Sequence, residues 1–203
     1  MTPKLIGPAG VLEARLAAAI AQVGGPLKLL FWGEPGVGKS EVSGRLARML
    51  THEVEIERVN GADVGVDEVR EWAARSHCSS LFADWRVQII EEIDKVSERA
   101  QVNLLTYLDE LPAQRAVIAT SNHSQDTIPR RLWTRFERYE VKAPTPEEIR
   151  LLLADRVPAD VAAMLATTCA GNVRAALLDA KSWERTSKAE PTAVQSEMLL
   201  SLL

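Results

Sequence analysis

The octapeptide Gly33-Glu34-Pro35-Gly36-Val37-Gly38-Lys39-Ser40 constrains this chain more than any other stretch. It follows a short apolar run, Leu27 to Trp32, that reads as a buried strand. It opens Lys39 to Leu50, where Val42, Leu46 and Met49/Leu50 recur at helical spacing. A glycine-rich turn between a strand and a helix is the phosphate-binding P-loop pattern. Its glycines let backbone N–H groups curl around a β-phosphate, and the helix N-terminus adds the positive end of its dipole. In this arrangement Lys39 reaches the β- and γ-phosphates, and the Ser40 hydroxyl joins a Mg²⁺ shell. Gly33, Pro35, Gly36, Val37, Gly38, Lys39, Ser40 and Glu41 are the candidate nucleotide-binding positions.

The pattern continues beyond the loop. Glu53 to Asn60 alternates weakly and is expected as a second strand, followed by a helix marked by Val66, Val69 and Ala73. Arg86 to Glu91 reads as a third strand, centred on Val87, Ile89 and Ile90. Ala100, Leu104, Leu105, Leu108 and Leu111 form the firmest amphipathic stripe. Ala116 to Ala119 supplies a fourth strand and Tyr139 to Val141 a fifth. Strands alternating with helices imply an α/β fold with a mostly parallel sheet covered on both faces.

The composition changes at Ala143-Pro144-Thr145-Pro146. Thr145 with Glu148 three residues later is a capping box, and Pro146 takes the first helical position. From there to about Lys188 only helical periodicity is present, broken at Pro158 and Gly171. The expected organisation is an α/β domain over 1–143, a small helical lid over 144–188 and a tail over 189–203. Val194, Met198, Leu199 and Leu202 share one face of that tail, which either extends the helical domain or docks on a partner.

Val87-Gln88-Ile89-Ile90-Glu91-Glu92 places two carboxylates at the C-terminal end of a buried strand, the edge where open parallel sheets bind ligands. One carboxylate there can hold Mg²⁺ through water, and the next can orient an attacking water. Other chemistries find little support. Cys78 and Cys169 stand far apart without companions, against a disulfide framework or a four-cysteine zinc site and in favour of a reducing compartment. His52, His77 and His123 lack metal-ligand spacing. A net charge of −4 excludes a uniformly basic nucleic-acid binder, though not a local basic face such as Arg115 to Lys142. Aromatic residues are 5% and dispersed, against a base-stacking platform. No apolar run approaches the ~20 residues that span a bilayer, and the opening Met1-Thr2-Pro3-Lys4 does not read as a signal peptide. A cytoplasmic protein without membrane contact is expected.

With these motifs in order, the chain resembles the AAA+ ATPases, and more narrowly the replication clamp loader subunits. Asn60-Gly61-Ala62-Asp63 and Gly65 to Arg70 resemble the loaders' segment after the second strand. Ile89 to Ser97 resembles their Walker B strand and its continuation, with Glu91 where the family usually has Asp. Leu108-Asp109-Glu110-Leu111-Pro112 is similar to the end of the helix that follows. Ile118-Ala119-Thr120-Ser121-Asn122 is similar to the sensor-1 strand, and Thr134-Arg135-Phe136 to the Ser-Arg-Cys segment. Gly171 to Ala176 is similar to the start of the sensor-2 helix.

The resemblance implies a five-stranded parallel sheet sandwiched by helices, followed by the helical lid, with ATP and Mg²⁺ as cofactors. It implies Glu92 as the catalytic carboxylate, Ser40 and Glu91 as the metal positions, and Asn122 as the polar group near the γ-phosphate. It further implies Arg135 as an arginine finger given to a neighbouring subunit and Arg174 as a nucleotide contact from the lid. The implied partners are other AAA+ subunits, a sliding clamp or other replication protein, and DNA through the assembly. The implied activity is ATP hydrolysis coupled to clamp loading in DNA replication. The loaders carry a helical collar for which residues 189–203 leave little room, so a minimal form is expected, one that assembles through other contacts, through a partner chain, or weakly. Two alternatives stand beside it: a nucleotide-gated interaction module with little turnover, and an AAA+ loader of a helicase or transposition complex.

Overall fold

The computed structural model describes residues 5–20, 22, 24–78, 84–123 and 127–189. The chain divides at Ala143–Pro144 into two compact units.

The first unit is built on five strands: β1 (Leu27–Trp32), β2 (Ile56–Asn60), β3 (Arg86–Glu91), β4 (Arg115–Ser121) and β5 (Glu137–Glu140). They form one sheet in the order β2-β3-β4-β1-β5, and every pairing is parallel. The central strands are apolar on both faces, as a doubly covered parallel sheet requires. Leu29, Phe31, Val87, Ile89, Ala116 and Ile118 belong to one apolar cluster, with residues of α1 (Gly7–Ile20) and α2 (Lys39–Leu50). Leu30, Ile90, Val117 and Ala119 alternate onto the opposite face and join α3 (Val66–Ser76) and α4 (Glu98–Asp109). Ile89, Ile90 and Ile118 are fully buried, each contributing ~1.5–3 kcal/mol of apolar burial.

The structure refines the sequence-based elements in three places. Residues 53–55 form a 3₁₀ turn, so β2 begins at Ile56 rather than at Glu53. Strand β5 lies at Glu137–Glu140, slightly ahead of the expected Tyr139–Val141, because pairing with β1 fixes a strand whose polar side chains carry no alternation signal. Helix α1 was not anticipated. It is rich in alanine and only weakly two-faced, burying Ala9, Leu16 and Ile20. A short α5 (Arg130–Trp133) precedes β5.

The second unit contains α6 (Pro146–Leu153), α7 (Ala159–Thr168) and α8 (Val173–Ala189), with α6 packed on α7 and both against α8. Ile149, Leu153, Ala162, Leu165, Ala166, Ala176 and Ala180 are buried in it. The capping box at its entrance is present: the Thr145 hydroxyl accepts from the Glu148 N–H at 3.3 Å, and Glu148 accepts from the Thr145 N–H at 2.7 Å. The apolar face expected in the tail, beginning at Val194, lies outside the described residues. Among the described residues no helix is long and apolar enough to cross a membrane.

Candidate nucleotide site

The carboxyl edge of the sheet gathers the chemistry. The loop after β1 turns on three glycines with positive φ: Gly33 (146°), Gly36 (83°) and Gly38 (107°). At Gly33 the requirement is also steric. A Cβ there would stand against the Val141 carbonyl oxygen, and the neighbouring Val141 N–H donates to Trp32 O at 2.8 Å. The loop is thereby fastened to the end of β5. Gly38, left-handed, leads into α2, whose first turn begins at Lys39. This presents a helix N-terminus to the loop, the geometry that favours a bound anion.

Lys39 is buried, and its ammonium donates to Gly33 O at 2.8 Å and Glu34 O at 2.7 Å. It therefore lies folded over the loop it would share with phosphate oxygens. Val37 packs into the apolar cluster beneath, and Pro35 is exposed on the loop. Ser40 is half-buried in the first turn of α2. The Glu41 side chain accepts from Arg45 at 2.8 Å, and Arg45 also lies 3.7 Å from Glu13 of α1.

Glu91 ends β3 on the face that carries Val87 and Ile89, the face covered by α2. Its carboxylate is paired with Arg58 of β2 at 2.8 Å. A Cβ on Gly44 of α2 would stand 2.7 Å from an Arg58 terminal nitrogen, so this guanidinium lies against α2. Glu92 adopts left-handed backbone (φ 55°) and turns the chain away from the sheet. Its N–H donates to the Thr120 hydroxyl at 3.2 Å. Its carboxylate receives Lys95 at 2.6 Å and Asn60 at 3.4 Å on one oxygen, and Asn122 at 3.0 Å on the other. Lys95 and then Asn60 hold this carboxyl below the usual carboxylate range, and Glu92 in turn raises the Lys95 ammonium. The two expected catalytic groups Glu92 and Asn122 are thus in direct contact.

Sequence reasoning missed the partners of this carboxylate. Lys95 lies in the turn after β3, three residues from Glu92, whereas Asn60 at the end of β2 and Asn122 just after β4 reach the carboxylate only through sheet order. The adjoining Asp94 is likewise held from β4: its buried carboxylate accepts from Ser121 at 2.6 Å.

Arg135 follows α5. Its Nε and Nη2 donate to the two carboxylate oxygens of Asp109 at 2.8 Å and 2.7 Å, and its Nη1 donates to Arg131 O at 2.7 Å. This pairing holds the Asp109 carboxyl below its ordinary range and raises the guanidinium further. Arg174 lies exposed on the first turn of α8 in the second unit.

Among the described residues no three His, Cys, Asp or Glu side chains gather to hold a metal alone. A serine hydroxyl with one carboxylate suits Mg²⁺, a hard cation that keeps water ligands and shares phosphate oxygens. Ser40 and Glu91, both at the α2 side of β3, fit that donor set.

A glycine loop capping a helix, an acidic pair at the end of β3 and an amide at the end of β4 together define a P-loop nucleoside triphosphatase. Residues 29–144 match the ATPase family associated with various cellular activities (AAA), and the chain belongs to that family. Replication-associated recombination protein A of Haemophilus influenzae is 25% identical over 136 residues, covering 67% of this chain and 30% of that protein. The chain thus spans less than a third of that relative. Among solved structures, a DNA polymerase III gamma subunit-related protein of Thermotoga maritima superposes with a TM-score of 0.67. It is 19% identical, and the match covers 83% of this chain and 57% of that one. The Holliday junction branch migration motor RuvB of Thermotoga maritima gives 0.63 at 21% identity, covering 84% and 58%. At these identities the structural likeness shows the fold, with the parallel five-stranded sheet in common.

Proposed function

We propose that this chain is the ATP-hydrolysing subunit of a multi-subunit AAA+ assembly that acts on DNA, in the manner of a clamp loader. The observation that carries the reading is the Glu92 carboxylate, fixed by Lys95, Asn60 and Asn122 at the same sheet edge as the P-loop. A carboxylate kept ionised there can orient water and accept its proton as it attacks the γ-phosphate. Lys39 would leave the Gly33 and Glu34 carbonyls for the phosphates, so that one set of favourable contacts replaces another. Ser40 and Glu91 would hold Mg²⁺, which would supply neutralising charge to the phosphate oxygens. Arg135 supplies positive charge to the site of an adjoining subunit, a role worth about 10³–10⁵ in rate where such fingers operate. The DNA-directed part of the reading is supported by the relative named for replication-associated recombination and by the gamma subunit-related fold. A ring clamp as the loaded partner, the participation of Arg174 from the lid and a cytoplasmic location complete the proposal.

The test is steady-state ATP turnover with and without DNA. Glu92→Gln is expected to bind ATP but lose turnover, and Arg135→Ala to lose it in the assembled state by at least ~10³. Wild-type turnover in Glu92→Gln refutes the assignment of the carboxylate. Wild-type turnover in Arg135→Ala refutes the finger.

One observation favours a second reading, a nucleotide-gated interaction module with little turnover. Glu91 is already neutralised by Arg58, a contact that competes with any cation beside it. Tight ATP binding without hydrolysis, with DNA present, would select that reading.

A further inference from the structure

We propose that Asp109, at the end of α4, is a positioning residue that holds the Arg135 guanidinium in its working orientation. The inference rests on the reading of Arg135 as a finger and adds to it the group that aims it.

The geometry carries the argument. Asp109 takes the side-on edge of the guanidinium, with Nε and Nη2 each donating to one carboxylate oxygen. Nη1 is tied back to the Arg131 carbonyl. Arg131 itself donates to Gln101 of α4 at 3.1 Å, so the backbone that bears Arg135 is anchored to the same helix. A guanidinium carries five N–H groups. These contacts use three and leave one on each terminal nitrogen, each able to donate to a phosphate oxygen. Arg135 therefore need not release Asp109 to meet a neighbour's nucleotide.

The alternative, that Asp109 stows the arginine and must let go, requires breaking a charge-assisted bidentate pair for each engagement. The remaining N–H groups make that exchange unnecessary. The side chains are also accessible, Arg135 at 30% and Asp109 at 51% exposure, so the pair is no element of the core. Fixing a long arginine before its partner arrives removes the ordering cost from the chemical step.

The experiment is a double-mutant cycle on kcat for ATP, measured on the full chain with the assembled mass checked for each variant. Asp109→Asn keeps the shape and removes the charge. It is expected to lower kcat about 10-fold with KM unchanged, because orientation acts on the chemical step. In the Arg135→Ala background the same substitution should cost nothing more. Asp109→Glu, which keeps a carboxylate, should recover part of the loss. Equal losses in both backgrounds would make Asp109 a structural residue and overturn the proposal, as would an Asp109→Asn chain with wild-type kcat. Wild-type turnover in Arg135→Ala alone would instead remove the finger reading on which the proposal stands.

Discussion

The structure makes Gly61 a sensitive position. It opens the 3₁₀ turn after β2, directly beneath the turn that carries the acidic pair. A Cβ added there would stand 2.9 Å from the Glu92 carbonyl carbon and 3.2 Å from the Glu91 oxygen. It would come within 2.2 Å of the Glu92 carbonyl oxygen, about 1 Å inside the 3.4 Å at which ordinary contact begins. These atoms are backbone, so no side-chain rotation relieves the clash. Gly61→Ala must push the Glu92 turn away from β2. Overpacking of this kind costs about 1–3 kcal/mol, or a fall of roughly 2–12 °C in melting temperature for a chain this size. The functional effect should be larger. Glu92 is held by Asn60 of β2 and Asn122 beyond β4, and a displacement of about 1 Å can cost ~10²-fold in rate. The P-loop is untouched, so ATP affinity should stay near the wild-type value. The assays are thermal unfolding, nucleotide binding by titration and steady-state kcat, with Gly25→Ala as the control because a Cβ at Gly25 meets nothing within 4 Å. Wild-type melting and kcat in Gly61→Ala, equal to the control, would refute the steric reasoning.

Other expectations concern the scaffold. The Tyr107 hydroxyl donates to Gln88 Oε1 of β3 at 2.9 Å inside the core, where burial pushes the phenol's ionisation far up. Tyr107→Phe leaves that amide oxygen without its donor and should cost about 1–3 kcal/mol in denaturant titration. No change there would mean the pair contributes nothing net. Thr145→Ala removes the cap of α6 and should cost ~1 kcal/mol, read as a lower unfolding midpoint. Because Thr145 lies in the second unit, kcat of the Thr145→Ala chain at low temperature should be less affected than that of Gly61→Ala.

How much was legible in the sequence differs by feature. The P-loop, the acidic strand end, the α4 stripe and the Thr145–Glu148 box each lie within a short window, and each was readable because its geometry is local. Helix α1 escaped because alanine and glycine dilute its apolar face, and β5 was displaced because its Glu137-Arg138-Tyr139-Glu140 run shows no buried side. Arg135 stands out by resemblance, whereas its partner Asp109, 26 residues away at the end of α4, carries no local signal that joins the two.

The sequence by itself determined that a glycine turn would lead from β1 into α2 and that two carboxylates would stand at the end of β3. Periodicity and glycine placement encode those features along the chain. The tertiary structure alone decided what each charged group faces: Arg58 on Glu91, Lys95 with two amides on Glu92, Asp109 on Arg135. The Arg58, amide and Asp109 contacts join residues 26 or more positions apart, whose meeting depends on sheet order and helix docking, and pair geometry of that kind leaves no local pattern in the sequence to read.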